Sequence, residues 1–144
     1  MPRIELSRMQ LEYGFEATDA KGYKVRMDTN KEMGGKNFGA SPMQLLLMGL
    51  AGCTSIDVVN ILNKQKQNIT SYKVIINGER EENKEPSLWK NINIEFRIEG
   101  NVEQEKAERA AELSINKYCS VAATLKAGGA NIEWKVLVNE SEKN

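Results

Sequence analysis

The sequence predicts an α+β fold in which mostly antiparallel strands carry the helices on one face. Two observations lead to this prediction. Apolar and polar residues alternate in several short stretches, most regularly at Ile92, Ile94, Phe96 and Ile98. Two longer segments begin with helix-capping residues and have buried candidates at helical spacing. Since the 144 residues contain neither a repeat nor a linker, they are expected to form a single domain, 1–144.

The N-terminal part predicts a β-hairpin. Apolar residues alternate with polar ones on both sides of the turn sequence TDAKG, at Leu11, Tyr13, Phe15, Tyr23, Val25 and Met27. Ile4 and Leu6 continue the alternation towards the N-terminus and indicate one earlier strand.

A long helix is predicted from Pro42 to about Gln67. Ser41 is a suitable N-cap, Pro42 suits the first helical position, and Gln44 completes a capping box with Ser41. The segment LLLMGLAGC has apolar or small residues on every side, so this helix should be buried on most sides. One small sheet cannot cover such a helix, and a second copy of the chain is the natural partner.

The second half predicts two neighbouring antiparallel strands, two helices and a last strand. The strands begin near Ile69 and at Ile92. The first of the helices has Asn101 as its expected cap, Gln104 in the capping-box position, and buried candidates at Val102, Ala110, Leu113 and Tyr118. A short helix follows Cys119 and stops at Gly128, and the last strand alternates at Ile132, Trp134, Val136 and Val138.

Composition excludes several classes of function. Twenty basic and twenty acidic residues give a net charge of zero, with no basic cluster of the kind that binds nucleic acid. The N-terminus has no apolar run typical of a secretory signal, and the long apolar segment carries Asp57, so a soluble cytoplasmic protein with no membrane span is expected. The absence of histidine excludes Cys-His and Ser-His pairs and His-containing zinc sites.

The loop GGKNFGAS resembles the first part of a phosphate-binding loop. Ala40 stands where that motif requires the lysine that contacts the phosphates, so a flexible loop is the better interpretation. We therefore predict neither a cofactor nor a metal ion.

Cys53 lies in the middle of the long predicted helix. Free cysteine is often a small buried hydrophobe, which is one interpretation. The other is a reactive site, since Gly49 and Gly52 each cost about 1 kcal/mol of helix stability relative to alanine and clear space beside the sulfur. Asp57 lies one turn further on and would raise the pKa of the thiol unless a cation neutralises it.

Cys119 precedes the short helix. A sulfur at a helix start meets unpaired backbone N–H groups, which favour the thiolate, although a buried filler at a helix junction is equally compatible with the pattern. The separation of 119 − 53 = 66 residues says nothing about the distance between the two sulfurs in space.

The stretches GASPMQLLLMGLAGCTSIDVVNILNKQKQ and INKYCSVAATL together resemble the OsmC/Ohr family, in particular its OsmC-like branch. In that branch the long helix begins with a Ser-Pro-Met segment and contains Gly-Cys, and a second cysteine opens a short helix. The resemblance runs from the Leu11 hairpin to the last strand and includes the order of the elements.

The resemblance implies an intertwined homodimer in which antiparallel sheets wrap around long central helices. It also implies cysteine-based reduction of organic hydroperoxides in oxidative stress defence. Carried over by position, Cys53 is the peroxidatic thiolate that becomes a sulfenic acid, and Cys119 is the resolving thiol that condenses with it. A small dithiol or a lipoyl-type reductant would then restore both thiols.

The activating residues depart from the family pattern. Peroxidases of the family hold the thiolate with an arginine from the early hairpin, oriented by a glutamate near the start of the long helix. Here the hairpin turn carries Lys21, with Arg26 as the nearest guanidinium, and the helix start has Met43 and Gln44 instead of an acid. The resemblance thus assigns Lys21, Arg26 and Gln44 to the site, although lysine lacks the planar fork of arginine.

Two alternatives stay open. One is a non-enzymatic dimeric OsmC-like protein whose cysteines sense redox state or line a hydrophobic ligand pocket, which the missing glutamate favours. The other is a protein in which Cys53 and Cys119 are both inert parts of the core.

Overall fold

The computed structural model describes residues 1–10 and 12–140 and contains two compact units. The first comprises Met1–Leu46, and the second begins at Leu47. The long helix α1, Pro42–Lys64, begins in the first unit and continues into the second.

The first unit contains a three-stranded antiparallel sheet. Its strands are β1 (Ile4–Gln10), β2 (Gly14–Asp19) and β3 (Lys24–Met27), in the order β1-β2-β3. The predicted hairpin and the earlier strand are both confirmed, while the predicted strand residue Leu11 lies outside the described residues. Asp19 closes the turn, because its carboxylate accepts the backbone N–H groups of Lys21 and Tyr23, each at 2.9 Å.

Asp28 organises the loop that follows β3, a segment the sequence predicts to be flexible. The side chain is buried, and its carboxylate accepts backbone N–H groups from Thr29 at 2.7 Å, Lys36 at 2.9 Å and Phe38 at 3.2 Å. These hydrogen bonds hold the pKa of Asp28 below its usual value, with the Lys36 bond as the largest cause. A short 3₁₀ turn, Lys31–Met33, lies within the loop.

Asp28→Asn should therefore loosen this loop. The amide keeps one acceptor oxygen but loses the charge that two N–H groups share, so we expect backbone hydrogen exchange at Lys36 and Phe38 to accelerate by about tenfold. The carboxyl has a lower pKa folded than unfolded, so its stabilisation is present above pH ~4 and is lost as pH falls through the folded pKa. In wild type the two amides should lose protection on acidification, whereas equal exchange in wild type and variant would contradict this role.

The start of α1 has the predicted capping box. The Ser41 hydroxyl oxygen accepts the Gln44 N–H at 3.3 Å, and the Gln44 side chain accepts the Ser41 N–H at 3.4 Å. The helix ends at Lys64 rather than at about Gln67, since Lys66 adopts a left-handed conformation with φ of 59°.

Within one chain, α1 is buried along a single stripe only. Its buried residues recur every four positions, at Leu50, Thr54, Val58 and Leu62. In one chain Met48 is 55% and Ile56 73% exposed, so burial on most sides, which the sequence analysis ascribes to a second copy of the chain, stays a prediction.

By length and hydropathy alone, α1 could also cross a bilayer. However, its buried stripe belongs to the hydrophobic core of the second unit, and its Asp57 accepts a hydrogen bond from a buried serine. Both features are typical of the core helix of a soluble domain.

The second unit has a three-stranded sheet in the order β4-β5-β6. Its strands are β4 (Asn68–Arg80), β5 (Trp89–Asn101) and β6 (Asn131–Val138). Strands β4 and β5 are antiparallel, as predicted, whereas β6 runs parallel to β5 after a helical crossover. One face of β5 is buried in a core that α1 and the later helices share, at Ile92, Ile94, Phe96 and Ile98.

The crossover contains α2 (Gln104–Leu113), a π-helical turn (Ser114–Tyr118) and α3 (Ser120–Ala127). Asn101 is not the cap of α2, because it pairs with Asn68 and still belongs to β5; Glu103 holds the cap position without a side-chain hydrogen bond. Tyr118 is 52% exposed, contrary to the prediction that it is buried. The π-helical turn has a wider repeat, which moves the residue off the buried stripe of α2.

Candidate functional site

Cys53 lies on the second unit's part of α1 and is half-buried against the core. Gly49 and Gly52 are exposed, and a Cβ atom added to either would meet no atom within 4 Å. The two glycines therefore make no close packing contact within one chain. Their cost in helix stability, about 1 kcal/mol each, has no compensating contact in the isolated chain.

Cys119 is the N-cap of α3, the position that the sequence predicts. Its Sγ atom accepts the backbone N–H of Ala122 at 3.3 Å, and its own N–H donates to the Ser114 carbonyl at 2.7 Å. The side chain is only 3% exposed. Cys119 is thus fixed through both its backbone and its sulfur.

The fold brings the two cysteines of the chain together, and both are free thiols. Cys119 belongs to the buried hydrophobic core, and the partly buried Cys53 side chain packs against that core, close enough to interact with the Cys119 thiol. Burial and, second, this interaction raise the pKa of Cys119 to about 11, against the opposite effect of the Ala122 and Val121 N–H groups. The expectation that the helix start favours a Cys119 thiolate is therefore wrong, because desolvation outweighs the helix terminus.

Asp57 has a hydrogen-bonded partner that the sequence did not reveal. The hydroxyl of Ser114, which is fully buried, donates to the Asp57 carboxylate at 2.8 Å. A signal for this contact was available, since Ser114 continues the buried alanine stripe of α2, and a buried hydroxyl requires a partner. The contact ties the Cys53-bearing helix to the segment that leads into Cys119.

A second hydroxyl chain lies two residues from Cys53. Tyr72 of β4 donates to the Ser55 hydroxyl at 3.0 Å, and Ser55 donates to the Ala51 carbonyl at 2.6 Å. Burial raises the pKa of Tyr72 to about 12, although the Ser55 bond opposes the shift, so the phenol stays neutral at physiological pH. Tyr72 fixes the surroundings of Cys53 without contributing a charge.

The three other predicted site residues, Lys21, Arg26 and Gln44, lie in the first unit. Lys21 is exposed in the hairpin turn, and Gln44 serves the capping box of α1. Their roles towards Cys53 stay predictions.

Arg26 has an orienting acid that the resemblance did not assign. It donates to the Glu16 carboxylate at 3.3 Å across the β2–β3 ladder, and its guanidinium lies 4.8 Å from the centre of the Phe38 ring. Glu16 is only 12% exposed. The guanidinium is therefore held in place although no acid stands at Met43 or Gln44.

Metal chemistry has no obvious site in the part of the chain that the structure describes. Within residues 1–10 and 12–140, no three Cys, Asp or Glu side chains are grouped closely enough to hold an ion. The nucleophilic side chains described at this site include the Cys53 and Cys119 thiols, both of which are free.

Comparisons with known proteins agree with this fold. The chain matches the OsmC-like protein family over residues 33–135. It is 39% identical to the Escherichia coli protein YhfA over 112 residues, which are 77% of this chain and 80% of YhfA. The fold superimposes on a hypothetical protein from Aquifex aeolicus with a TM-score of 0.80 and 31% identity, covering 97% of this chain and 98% of the other.

A further solved structure shares the fold at lower identity. It is an organic hydroperoxide resistance protein OsmC from Legionella pneumophila, with a TM-score of 0.70, 17% identity and 97% coverage of both chains. The family match covers well over half of the chain, and the YhfA similarity extends over most of it. The chain therefore belongs to the OsmC-like protein family.

Proposed function

We propose that the protein reduces organic hydroperoxides with Cys53 as the peroxidatic thiol and Cys119 as the resolving thiol. The observation that carries the proposal is that two thiols 66 residues apart in sequence reach the same hydrophobic core, Cys53 from the middle of α1 and Cys119 from the N-cap of α3. Membership of the family and the similarity to the Legionella organic hydroperoxide resistance protein support the choice of substrate.

The first step oxidises Cys53. Its thiolate attacks one peroxide oxygen, the O–O bond breaks, and the products are a Cys53 sulfenic acid and an alcohol formed by proton uptake on the leaving alkoxide. The sulfur loses two electrons, and the peroxide gains them. Cys53 suits this role better than Cys119, because it is half-buried whereas Cys119 is almost completely buried.

The second step forms the disulfide. The Cys119 sulfur attacks the Cys53 sulfenic acid, an S–S bond forms, and the hydroxyl leaves as water with the Cys119 proton. A dithiol or lipoyl-type reductant then restores both thiols by exchange and leaves as its own disulfide. The Cys119 thiol stays protonated until this step, in agreement with its raised pKa.

Arg26 is the best candidate for the cation that stabilises the Cys53 thiolate. It offers two parallel N–H donors, which Lys21 lacks, and Glu16 orients it. Gln44 would assist as a neutral hydrogen-bonding group.

We further propose that the protein is a soluble, cytoplasmic homodimer in which two copies of α1 pack together. The exposed apolar side of α1 supports this assembly. Met48 and Ile56 are exposed there, and a Cβ atom added to Gly49 or Gly52 would meet no atom within 4 Å in one chain. A partner helix could approach closely at Gly49 and Gly52, and this contact would compensate for their cost to the helix.

The proposed activity is tested by peroxide consumption with a dithiol present. Purified protein should consume cumene hydroperoxide catalytically with dihydrolipoamide or dithiothreitol as reductant. Absence of any reaction would exclude the function and favour inert core cysteines. Stoichiometric disulfide formation without turnover would favour the redox-sensing alternative instead, because a sensor has to be oxidised only once.

A further inference from the structure

We propose that Asp57 and Ser114 are positioning residues that hold Cys119 against the Cys53-bearing helix and so set the rate of disulfide formation. The proposal rests on the function given above to Cys119. It assigns a role to a carboxylate and a buried hydroxyl that the peroxide reaction itself does not use.

The link runs from α1 to Cys119 through two hydrogen bonds. Asp57 lies four residues after Cys53, hence one turn along the same face of α1. Its carboxylate accepts the Ser114 hydroxyl at 2.8 Å, and the Ser114 carbonyl accepts the Cys119 N–H at 2.7 Å. Ser114 thus connects the backbone of Cys119 to the helix that carries Cys53.

The link is anchored at a π-helical turn. Ser114 begins this turn, and the Lys126 ammonium of α3 donates to the Ile115 carbonyl at 3.0 Å and to the Asn116 side chain at 2.9 Å. Single π-helical turns recur at functional positions, where they redirect the residue that follows them. Here the following residue is Cys119.

Packing alone does not require either polar group. The buried stripe of α2 consists of alanines at Ala107, Ala110 and Ala111, and another alanine would continue it at Ser114. A buried hydroxyl is costly unless it is hydrogen-bonded, and α1 offers the Ser114 hydroxyl two acceptors, the Asp57 carboxylate at 2.8 Å and the more distant Thr54 carbonyl at 3.4 Å. The Asp57 bond is the shorter one and involves a charged acceptor, so it is the stronger of the two. The Asp57–Ser114 hydrogen bond therefore fixes the orientation of the π-helical turn relative to α1.

Direction matters most in the step that joins the sulfurs. The Cys119 sulfur must approach the Cys53 sulfur along the axis of the bond that breaks, and a misplacement of about 1 Å can cost up to about a hundredfold in rate. Oxidation of Cys53 by peroxide involves no atom of Cys119. Loss of the link should therefore slow disulfide formation and spare the first oxidation.

The experiment uses diamide as well as cumene hydroperoxide, so that it does not depend on peroxidase activity. Diamide forms an adduct with one thiol, and attack by the second thiol releases the hydrazine and leaves the disulfide. Its first-order second step can be followed by acid quench, alkylation and mass spectrometry. With peroxide, trapping of the Cys53 sulfenic acid by dimedone reports the first oxidation separately.

Asp57→Ala and Ser114→Ala should each slow disulfide formation by about tenfold, and Ser114→Ala, which keeps the Asp57 charge, should leave the first oxidation within about twofold of wild type. The double variant should be no slower than either single one, because both remove the same link. Asp57→Asn should restore the rate to within about threefold, since its amide oxygen still accepts the hydroxyl. Thr124→Ala, which removes a hydroxyl bond within α3, is the matched control and should match wild type.

Unchanged disulfide formation in Asp57→Ala would overturn the proposal, as would equal slowing of both steps or equal slowing by Thr124→Ala. If Ser114→Ala does not fold, the comparison of Asp57→Ala with Asp57→Asn carries the test. If the diamide rates follow the expected order but no protein consumes peroxide, the proposed function fails and the positioning role stands.

Discussion

Cys53→Ser should lower the rate of cumene hydroperoxide consumption by at least about a hundredfold, to the background rate of the dithiol. A serine hydroxyl is not ionised at neutral pH and cannot displace the peroxide oxygen as a thiolate does. The rate is measured as peroxide loss with excess dihydrolipoamide, at equal protein concentration.

Cys119→Ser is the matched control, because it makes the same chemical change at the neighbouring thiol. It should keep the first oxidation within about twofold of wild type and accumulate a Cys53 sulfenic acid that dimedone traps. If Cys119→Ser abolished the first oxidation while Cys53→Ser preserved it, the two assigned roles would be reversed. Equal activity of both variants and wild type would show that neither thiol is involved.

Ile56→Asp should convert a dimer into single chains. Ile56 is 73% exposed on the apolar side of α1, and two chains packed through that side would bury two unpaired carboxylates. Sedimentation should give the mass of two chains for wild type and that of one chain for the variant. At micromolar concentration we expect loss of most of the dimer, because an unpaired buried charge costs several kcal/mol.

Ile56→Ala is the control at the same position. It removes contact area without adding charge, so the dimer should weaken but persist. A wild-type protein that sediments as one chain would contradict the proposed assembly, as would an Ile56→Asp variant that stays dimeric. Far-ultraviolet circular dichroism of the variants distinguishes dissociation from unfolding.

Local sequence rules account for much of the fold. The capping box of Ser41 and Gln44 and the N-cap position of Cys119 depend on residues within one helical turn, and both are confirmed. The alternation in β5 reports its buried face directly, because side chains on a strand point to opposite faces in turn.

The predictions for Asn101 and Tyr118 were wrong because long-range contacts and an irregular helical turn override these local rules. Asn101 has good capping chemistry, but the β4–β5 ladder keeps it in the sheet. Tyr118 falls on a helical period that the π-helical turn interrupts. Both outcomes depend on which backbone groups find partners elsewhere in the chain, and spacing alone does not encode that information.

The candidate site was only partly predictable, for the same reason. The family resemblance selects both cysteines, but their proximity depends on both side chains reaching the same hydrophobic core. The raised pKa of Cys119 follows from burial, which outweighs a favourable helix terminus. The Asp57–Ser114 contact joins residues 57 positions apart, and the Glu16–Arg26 pair becomes visible only once the strand register is known.

The central claim, that an organic hydroperoxide oxidises Cys53 and that Cys119 then resolves it, is tested most directly by mass spectrometry under non-reducing conditions. One equivalent of cumene hydroperoxide should convert wild type to a single species that has lost both thiol hydrogens and yields one peptide pair joined through Cys53 and Cys119. Cys119→Ser should instead gain one oxygen on Cys53. Two unmodified thiols after the same treatment of folded wild type would contradict the claim.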